Sequence, residues 1–358
     1  MAETCPLARN QYEELAAFLA SFPKETKGQA YWLRRFLLWW DHNPTFTEGL
    51  DRGWVLRKQD TVVGFCGMIP TWFQQGGRED IVFSATTWRV LPEFRSQSLS
   101  LFFKLLNAAK QSIVFCTTSS DTTVSVLKAL KFQLIPRADE RRSVVAINCG
   151  RVAAARLGDR PGGAVLVTVL AGGLALWQTA RLRFPDPRPA GLEVREVGRT
   201  DASFDRLWER TRGLFKNTNV RRAEVLNWFC FSNQDFEKRL FGCYQAGDLL
   251  GYCMARPNQA NRYELRVFEC MDLWLDPSHE NVLGVLVGAV TAHARAQGYD
   301  LVAVPHFHPL IASGLARLGL IPIRAPERHN YFKAQGPAGA TMSTANSYFV
   351  TAQGDDGL

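Results

Sequence analysis

The sequence lacks the short spacings that mark zinc sites and thiol redox centres. Its eight cysteines include no Cys-x-x-Cys pair and do not alternate with the six histidines at ligand spacing. Several of them lie inside apolar, strand-like runs, as buried thiols do. We therefore expect reduced core cysteines in a cytoplasmic protein, without metal and without disulfides.

Compositional bias is also absent. Hydrophobic residues make up 46% of the chain and charged residues 21%, which excludes collagen-like, coiled-coil and wholly disordered proteins. The N-terminus has Glu3 and no apolar signal core, so secretion is disfavoured. The net charge of +8 favours an anionic ligand or surface, such as a nucleotide cofactor, a carrier protein, RNA or acidic lipid.

One long apolar run stands out, from Ala164 to Trp177. It is shorter than the roughly 20 residues that cross a bilayer, and Gly172 and Gly173 interrupt it. Two interpretations remain open: a linker helix buried between domains, or a surface-lying membrane anchor held by arginines and anionic lipid. The flanking arginines are Arg151, Arg156, Arg160, Arg181, Arg183 and Arg188.

The chain repeats itself at long period. Five pairs of landmarks keep separations of 185 to 188 residues: Trp40 and Trp228, Gly64 and Gly251, Pro92 and Pro277, Leu130 and Leu318, Pro136 and Pro322. Each half has the pattern helix, helix, three strands, helix, strand, helix, strand, which predicts an α/β fold with a mixed sheet. We therefore predict two related domains, residues 1–150 and 191–358, joined by a basic and apolar linker at 151–190.

In the first half, a strand ending in Val90 and the run Leu-Pro-Glu-Phe leads into Arg-Ser-Gln-Ser-Leu-Ser and then a helix. This segment resembles the pyrophosphate loop Q/R-x-x-G-x-G/A of the GNAT acyltransferase superfamily, with serines in place of both glycines. Amide groups at a helix start attract phosphate, and an arginine can hold it with two hydrogen bonds. The resemblance implies two tandem GNAT-like domains, the first binding acetyl-CoA or another acyl-CoA. Its expected donor-binding residues are Val90, Arg95, Ser96, Gln97, Ser98, Leu99 and Ser100.

The equivalent segment of the second half, residues 276–281, carries Asp276 and Glu280. Two carboxylates at a helix start repel a pyrophosphate. We therefore expect only the first half to bind the donor.

Catalytic residues are less evident. The first half has Ser84, Thr86 and Thr87 where such proteins often carry a glutamate, and Leu127 at the expected tyrosine. Ser120 remains as a polar candidate, with helix capping as the alternative role.

Ionisable groups lie in the second half. Glu269 on the central strand and His306 at the end of the next strand are our candidates for an acceptor cleft between the domains, with packing as the alternative for the histidine.

The resemblance implies an acyl-CoA-dependent N- or O-acyltransferase acting on a small metabolite or saccharide. One alternative keeps the fold but takes its donor from aminoacyl-tRNA or acyl-carrier protein. Another is a catalytically silent scaffold or sensor. The expected location is cytoplasmic, with membrane association through residues 164–177 as a further possibility and the oligomeric state open.

Overall fold

The computed structural model describes residues 2–136, 140–157, 163–233, 235–258, 264–325, 329–335, 342–350 and 358. Arg160, one of the arginines flanking the apolar run, lies outside these residues. The fold contains two mixed β-sheets flanked by helices, as the repeat predicts.

The first half contributes one set of elements in chain order. They are β1 (Glu3–Pro6), α1 (Tyr12–Ala20), α2 (Gln29–Phe36), β2 (Gly53–Lys58), β3 (Thr61–Gln75), β4 (Arg78–Val90), α3 (Ser98–Ala108), β5 (Ile113–Cys116), α4 (Asp121–Ala129), β6 (Gln133–Leu134) and β7 (Arg141–Ala146). A π-helical turn, Leu37–Asp41, extends α2, and a 3-10 turn, Pro92–Gln97, leads into α3. The predicted order of helices and strands is confirmed, with edge strand β1 added.

The connecting segment holds two helices, and the second half repeats the pattern. These elements are α5 (Cys149–Leu157), α6 (Gly163–Arg181), β8 (Leu192–Val197), α7 (Ala202–Thr211), β9 (Asn217–Asn219), α8 (Ala223–Phe231), β10 (Arg239–Gln245), β11 (Asp248–Asn258), β12 (Val267–Leu275), α9 (Val282–Ala296), β13 (Leu301–Pro305), α10 (Pro309–Arg317), β14 (Ile321–Arg324), β15 (Tyr331–Ala334) and β16 (Ser347–Tyr348).

The two sheets have equivalent strand orders along their main paths, and each main path includes one strand from the other half. The first sheet runs β1-β2-β3-β4-β5-β15-β6, and the second runs β8-β10-β11-β12-β13-β7-β14. Strand β7 pairs antiparallel with β13 and β14, whereas β15 pairs antiparallel with β5 and β6. The predicted boundary at residue 150 therefore does not separate the hydrogen-bonded units, because β7 belongs by its pairing to the second sheet.

The halves also share a hydrophobic core. One buried cluster extends from Leu7 in the first half to Val350 in the second. The indole N–H of Trp228 donates to the carbonyl of Leu38 at 2.7 Å. In addition, β9 pairs with the end of β3, so the second half adds a strand to the first sheet. The two sheets thus form one packed body.

Helices α5 and α6 cover one face of the second sheet. Their partly buried residues, among them Val152 and Leu174, pack on a small cluster that includes Val144 and Ala146 of β7. Most of α6 is nevertheless exposed, since 11% of its 18-residue apolar stretch is buried. The interpretation as a helix buried between the domains is therefore wrong, since the space between the sheets is filled by the shared core.

Candidate active site

The central parallel strands of the first sheet diverge. Along the described strands, β4 and β5 pair only at Phe83 with Val114 and at Ser84 with Phe115. Beyond these pairs β4 continues to Val90, whereas β5 ends at Cys116. The divergence opens a gap at the carboxyl end of both strands, the side on which ligands bind in such sheets.

A β-bulge in β4 borders this gap. Gly67 of β3 pairs with Thr86 and Phe65 pairs with Arg89, so Thr87 and Trp88 together oppose one residue of β3. Thr87 has a φ of +49°, a left-handed conformation that is costly for a β-branched residue. Bulges and strained residues of this kind turn backbone groups out of the ladder and are concentrated at functional sites.

A cavity of about 560 Å³ occupies the gap. One wall comes from β4, the end of β5 and the start of α4. The opposite wall comes from α2 and the π-helical turn. The lining residues are Tyr31, Trp32, Arg35, Trp39, Ala85, Thr86, Thr87, Trp88, Arg89, Phe102, Cys116, Thr118, Ser119, Ser120, Thr123, Phe236 and Leu358.

The α2 wall is rich in hydrogen-bond donors. The indole N–H groups of Trp32 and Trp39 are buried and have no hydrogen-bond partner among the described residues. The guanidinium of Arg35 stacks 4.9 Å from the Trp39 ring and donates to the main-chain oxygen of Leu358. A buried donor without a partner is costly, and these two N–H groups have almost no surface accessible from the cavity, so a ligand could satisfy them only after the side chains of this wall move.

A second arginine on the wall is held by an ion pair. Arg89 lies 2.6 Å from the carboxylate of Glu25 and 5.4 Å from the Trp32 ring. Burial of Glu25 favours its neutral form, but hydrogen bonds from the Lys27 backbone and from Arg89 outweigh it and lower its pKa. The charged pair positions the Arg89 guanidinium beside the cavity.

The thiol on the cavity wall is not reactive. Burial raises the pKa of Cys116 to about 12. A nucleophilic cysteine needs its thiolate form, which Cys116 does not adopt at neutral pH. Cys116 is therefore not a candidate nucleophile.

The predicted phosphate loop lies at the junction of the 3-10 turn and α3. No residue from Arg95 to Ser100, all of them described, has a positive φ, so serine in place of glycine causes no backbone strain there. Some of its polar groups already have partners: the Ser98 amide donates to the Arg95 carbonyl, and the Ser100 hydroxyl donates to the Gln97 carbonyl at 2.7 Å. Arg95 and Ser96 are exposed.

Two residues of the loop, Gln97 and Ser100, contact the N-terminal segment. The amide of Ala2 donates to the Gln97 side chain at 3.0 Å, and the Ser100 hydroxyl lies 2.9 Å from the Thr4 hydroxyl. Val90 closes β4 by pairing with Gly64, and Leu99 is exposed on α3. Donor binding by these residues stays a prediction.

Ser120 caps α4, and it also lies on the cavity wall, while its catalytic role stays a prediction. It lines the cavity, and its hydroxyl accepts the amide of Thr123 at 3.4 Å as the N-cap of α4. Its hydroxyl also lies 2.9 Å from those of Thr122 and Thr123.

Glu269 and His306 are not brought together. Glu269 lies on the face of the second sheet shared with Arg142, which is 3.5 Å away, and accepts a hydrogen bond from Asn258. His306 lies 2.8 Å from the hydroxyl of Ser143. Because Arg142 and Ser143 are successive residues of β7, the two candidates occupy opposite faces. Neither lines the cavity of the first half, and their catalytic roles stay predictions.

The corresponding gap in the second sheet is filled. Strands β12 and β13 also pair over only three described positions before diverging. Tyr348 enters this gap, with its ring 5.2 Å from that of Trp274 and 5.2 Å from that of Phe215. His308 packs beside them, and its Nδ1 accepts the amide of Leu310 as the N-cap of α10.

A second cavity of about 760 Å³ lies next to this filled gap, between α9 and α10. Asp276 and Glu280 line it near the start of α9. Hydrogen bonds from Arg210 and Ser278 outweigh the opposing effect of burial and lower the pKa of Asp276, which keeps the carboxylate charged. The Asp276 carboxylate is paired with Arg210 at 2.6 Å, and binding of a pyrophosphate only in the first half stays a prediction.

The sequence pattern of α2 does not show that this helix lines a cavity. Trp32 and Trp39 lie at helical spacing among other tryptophans, a pattern that is typical of a packed core. They are indeed buried, at 7% and 0% exposure, yet they also line the cavity. The basic residue between them, Arg35, was the available signal, because an arginine within an apolar helical stripe needs an anionic or oxygen-bearing partner.

No family model and no curated protein sequence matches the chain. Solved structures do match. A GCN5-related N-acetyltransferase from Anabaena variabilis aligns with a TM-score of 0.60 at 10% identity, covering 94% of this chain and 73% of that one. A probable N-acyltransferase of unknown function from Enterococcus faecalis gives a TM-score of 0.57 at 9% identity, with coverages of 94% and 73%.

N-myristoyltransferase from Saccharomyces cerevisiae, crystallised with myristoyl-CoA, is also similar. It aligns with a TM-score of 0.55 at 12% identity over 97% of this chain and 84% of that one. Identities this low show a common fold. The strand order occurs twice along this chain, which therefore has the GNAT fold in two tandem copies.

Proposed function

We propose that this protein is an acyl-CoA-dependent acyltransferase that transfers an acyl group, acetyl in the first instance, to an amine or hydroxyl of a small metabolite or saccharide. The observation that carries the proposal is the cavity between the diverging strands β4 and β5. The acyltransferase names of the structural neighbours support it, and the myristoyl-CoA of the yeast structure supports an acyl-CoA donor.

The donor enters along β4, with its pyrophosphate at Arg95 to Ser100 and its thioester beside the bulge. The backbone of Thr87 and Trp88 is out of the ladder there. Amide groups placed in this way can stabilise the oxyanion that forms on the thioester carbonyl. The acceptor lies against the α2 wall, where Trp32, Arg35 and Trp39 line the cavity.

The reaction is a direct transfer. The acceptor nitrogen or oxygen bonds to the acyl carbon, and the bond between that carbon and sulfur breaks. The proton that the acceptor loses is passed to the leaving thiolate. We assign this proton transfer, direct or through water, to Ser120, an exposed residue that lines the cavity.

Thermal unfolding with added acetyl-CoA, a long-chain acyl-CoA, tRNA and acyl-carrier protein tests the donor. A ligand present at 100 times its Kd should stabilise the protein by about 2.7 kcal/mol. We expect stabilisation by an acyl-CoA. Stabilisation by tRNA or carrier protein alone would show that the donor is not an acyl-CoA. If no ligand stabilised the protein, a catalytically silent scaffold would be favoured.

Two variants locate the site. Arg95→Ala combined with Ser98→Leu removes a phosphate partner and blocks backbone approach, and Ser119→Trp fills the cavity from its rim. Both should abolish stabilisation by acyl-CoA. His279→Ala and Ser313→Trp, which alter the cavity of the second half, are the matched controls and should leave it unchanged.

A further inference from the structure

Helix α6 presents a long apolar surface to solvent. Val165 and Leu176 are 71% and 74% exposed. The other large exposed apolar side chains of the helix are Leu166, Val169, Leu170 and Trp177. We call these six residues the α6 face. An apolar patch of this extent on a folded protein marks a contact surface.

The α6 face contains no charge. No residue from Gly163 to Ala180 carries one, over about 27 Å of helix. The threonine hydroxyls of α6 do not require water either, because they donate within the helix. Thr168 donates to the carbonyl of Ala164 at 3.0 Å, and Thr179 donates to that of Ala175 at 2.9 Å. The face is therefore suited to an environment without hydrogen-bond partners.

The opposite side of α6 is held against the second sheet. Gln178 is buried, accepts the amide of Ala146 at 2.8 Å and donates to the carbonyl of the same residue at 2.8 Å. At the end of the helix, the amide of Arg183 donates to Leu318 at 3.0 Å. These contacts fix the helix flat on the domain with the α6 face outward.

Arginines flank α6 in the sequence. From Cys149 to Pro185 the sequence has five arginines and a single aspartate. Arg181 and Arg183 are exposed at the end of the helix, and the Arg181 guanidinium lies 5.7 Å from the Trp177 ring. Tryptophan and arginine side by side at the end of an apolar helix are typical of the interface between lipid and water.

We infer that the α6 face docks the protein onto an anionic lipid bilayer, with the helix lying in the plane of the interface and its arginines at the lipid phosphates. Within the described residues, α6 is the one helix long and apolar enough to cross a membrane. Crossing would break the contacts of Gln178 with β7, whereas lying flat preserves them. A second copy of the chain fits less well, because the arginines of two copies would face each other.

Flotation of the purified full chain with vesicles tests this. We expect binding to vesicles of phosphatidylcholine with phosphatidylglycerol, and at least tenfold weaker binding to phosphatidylcholine alone or at high salt. Val169→Glu with Leu176→Glu, and separately Arg181→Gln with Arg183→Gln, should each weaken binding tenfold or more. Leu134→Glu is the control, since Leu134 is an exposed apolar residue elsewhere, and it should bind like the unaltered chain.

A brominated lipid gives an independent measurement of depth. It should quench part of the tryptophan emission, and Trp177→Phe should remove that part. Equal binding to neutral vesicles would overturn the role of the arginines. Resistance to alkaline extraction would show a spanning helix and overturn the flat orientation. Absence of vesicle binding, together with a dimer that Val169→Glu and Leu176→Glu dissociate, would assign the face to a second copy.

Discussion

Arg221 and Asp272 form an ion pair at 3.1 Å in which both side chains are fully buried. The hydroxyl of Tyr252 donates to the same carboxylate at 2.7 Å, and the Arg221 guanidinium stacks 4.1 Å from the Trp274 ring. With Tyr348, this cluster occupies the part of the second sheet that corresponds to the cavity of the first. The duplication has thus kept the diverging strands in both halves. The gap between them is open in the first half and filled by side chains in the second, where a cavity of about 760 Å³ lies beside it.

Removing one member of this pair should be strongly destabilising. Asp272→Ala leaves a buried guanidinium without its carboxylate, and we expect a loss of about 3–5 kcal/mol in the free energy of unfolding. Urea unfolding measures it. Glu196→Ala, which removes a half-exposed ion pair with Arg239, is the control and should cost about 1 kcal/mol or less. Similar losses in both variants would contradict the buried pair.

Lys238 should make stability depend on pH. Burial, with the positive charges of Arg256 and Arg35, lowers its pKa to about 7. An unfolded lysine titrates near pH 10.4. Between these values the unfolded chain binds more protons than the folded one, so this residue makes stability rise with pH by up to about 1.4 kcal/mol per unit.

The measurement compares the unaltered chain with Lys238→Met in urea at pH 7.5 and pH 9.5. The variant also loses the hydrogen bond to the Phe229 carbonyl, but that loss is the same at both pH values. Between these pH values, we expect the free energy of unfolding of the unaltered chain to rise by roughly 2–3 kcal/mol relative to that of the variant. A constant difference would contradict a neutral buried lysine.

Gly319 should tolerate no side chain. It has a φ of +81°, and an added Cβ would lie 2.2 Å from the carbonyl oxygen of Arg181 at the end of α6. Gly247 has a similar φ of +89° but open space around it. Gly247→Ala should therefore cost about 1–2 kcal/mol from backbone conformation alone, and Gly319→Ala clearly more in a thermal or urea unfolding experiment. Equal costs would show that α6 does not end against this turn.

His306 distinguishes two hypotheses. As a general base or acceptor-orienting group, its replacement by alanine would lower turnover roughly 100-fold and leave donor binding intact. The contact with Ser143 instead leads us to expect that His306→Ala lowers stability and reduces turnover only as far as folding is lost. Turnover from steady-state kinetics and donor affinity from acyl-CoA titration distinguish the two roles, with Ser143→Ala as the matched variant. A large loss of turnover at unchanged stability would support the catalytic role.

The duplication, the order of elements and the GNAT fold could be predicted from the sequence. Apolar periodicity and turn residues are local signals, and a repeat separation near 187 residues is visible without any structure. Helix α8 (Ala223–Phe231), for example, is the second helix of the repeated pattern in the second half. The negative charge at Asp276 was likewise a local feature.

The sequence could not predict which strands pair across the two halves or which residues meet at the cavity, because both depend on contacts between distant residues. Strands β7 and β15 show apolar patterns that suit either sheet, and only tertiary hydrogen bonds place each one in the opposite half. Trp32 and Trp39 look like core residues at helical spacing, and they line a site because α2 packs across the gap between β4 and β5. In the same way Tyr348, far along the chain, enters the second gap. Local sequence determined which elements form, whereas long-range packing decided which of the two gaps between diverging strands stays open.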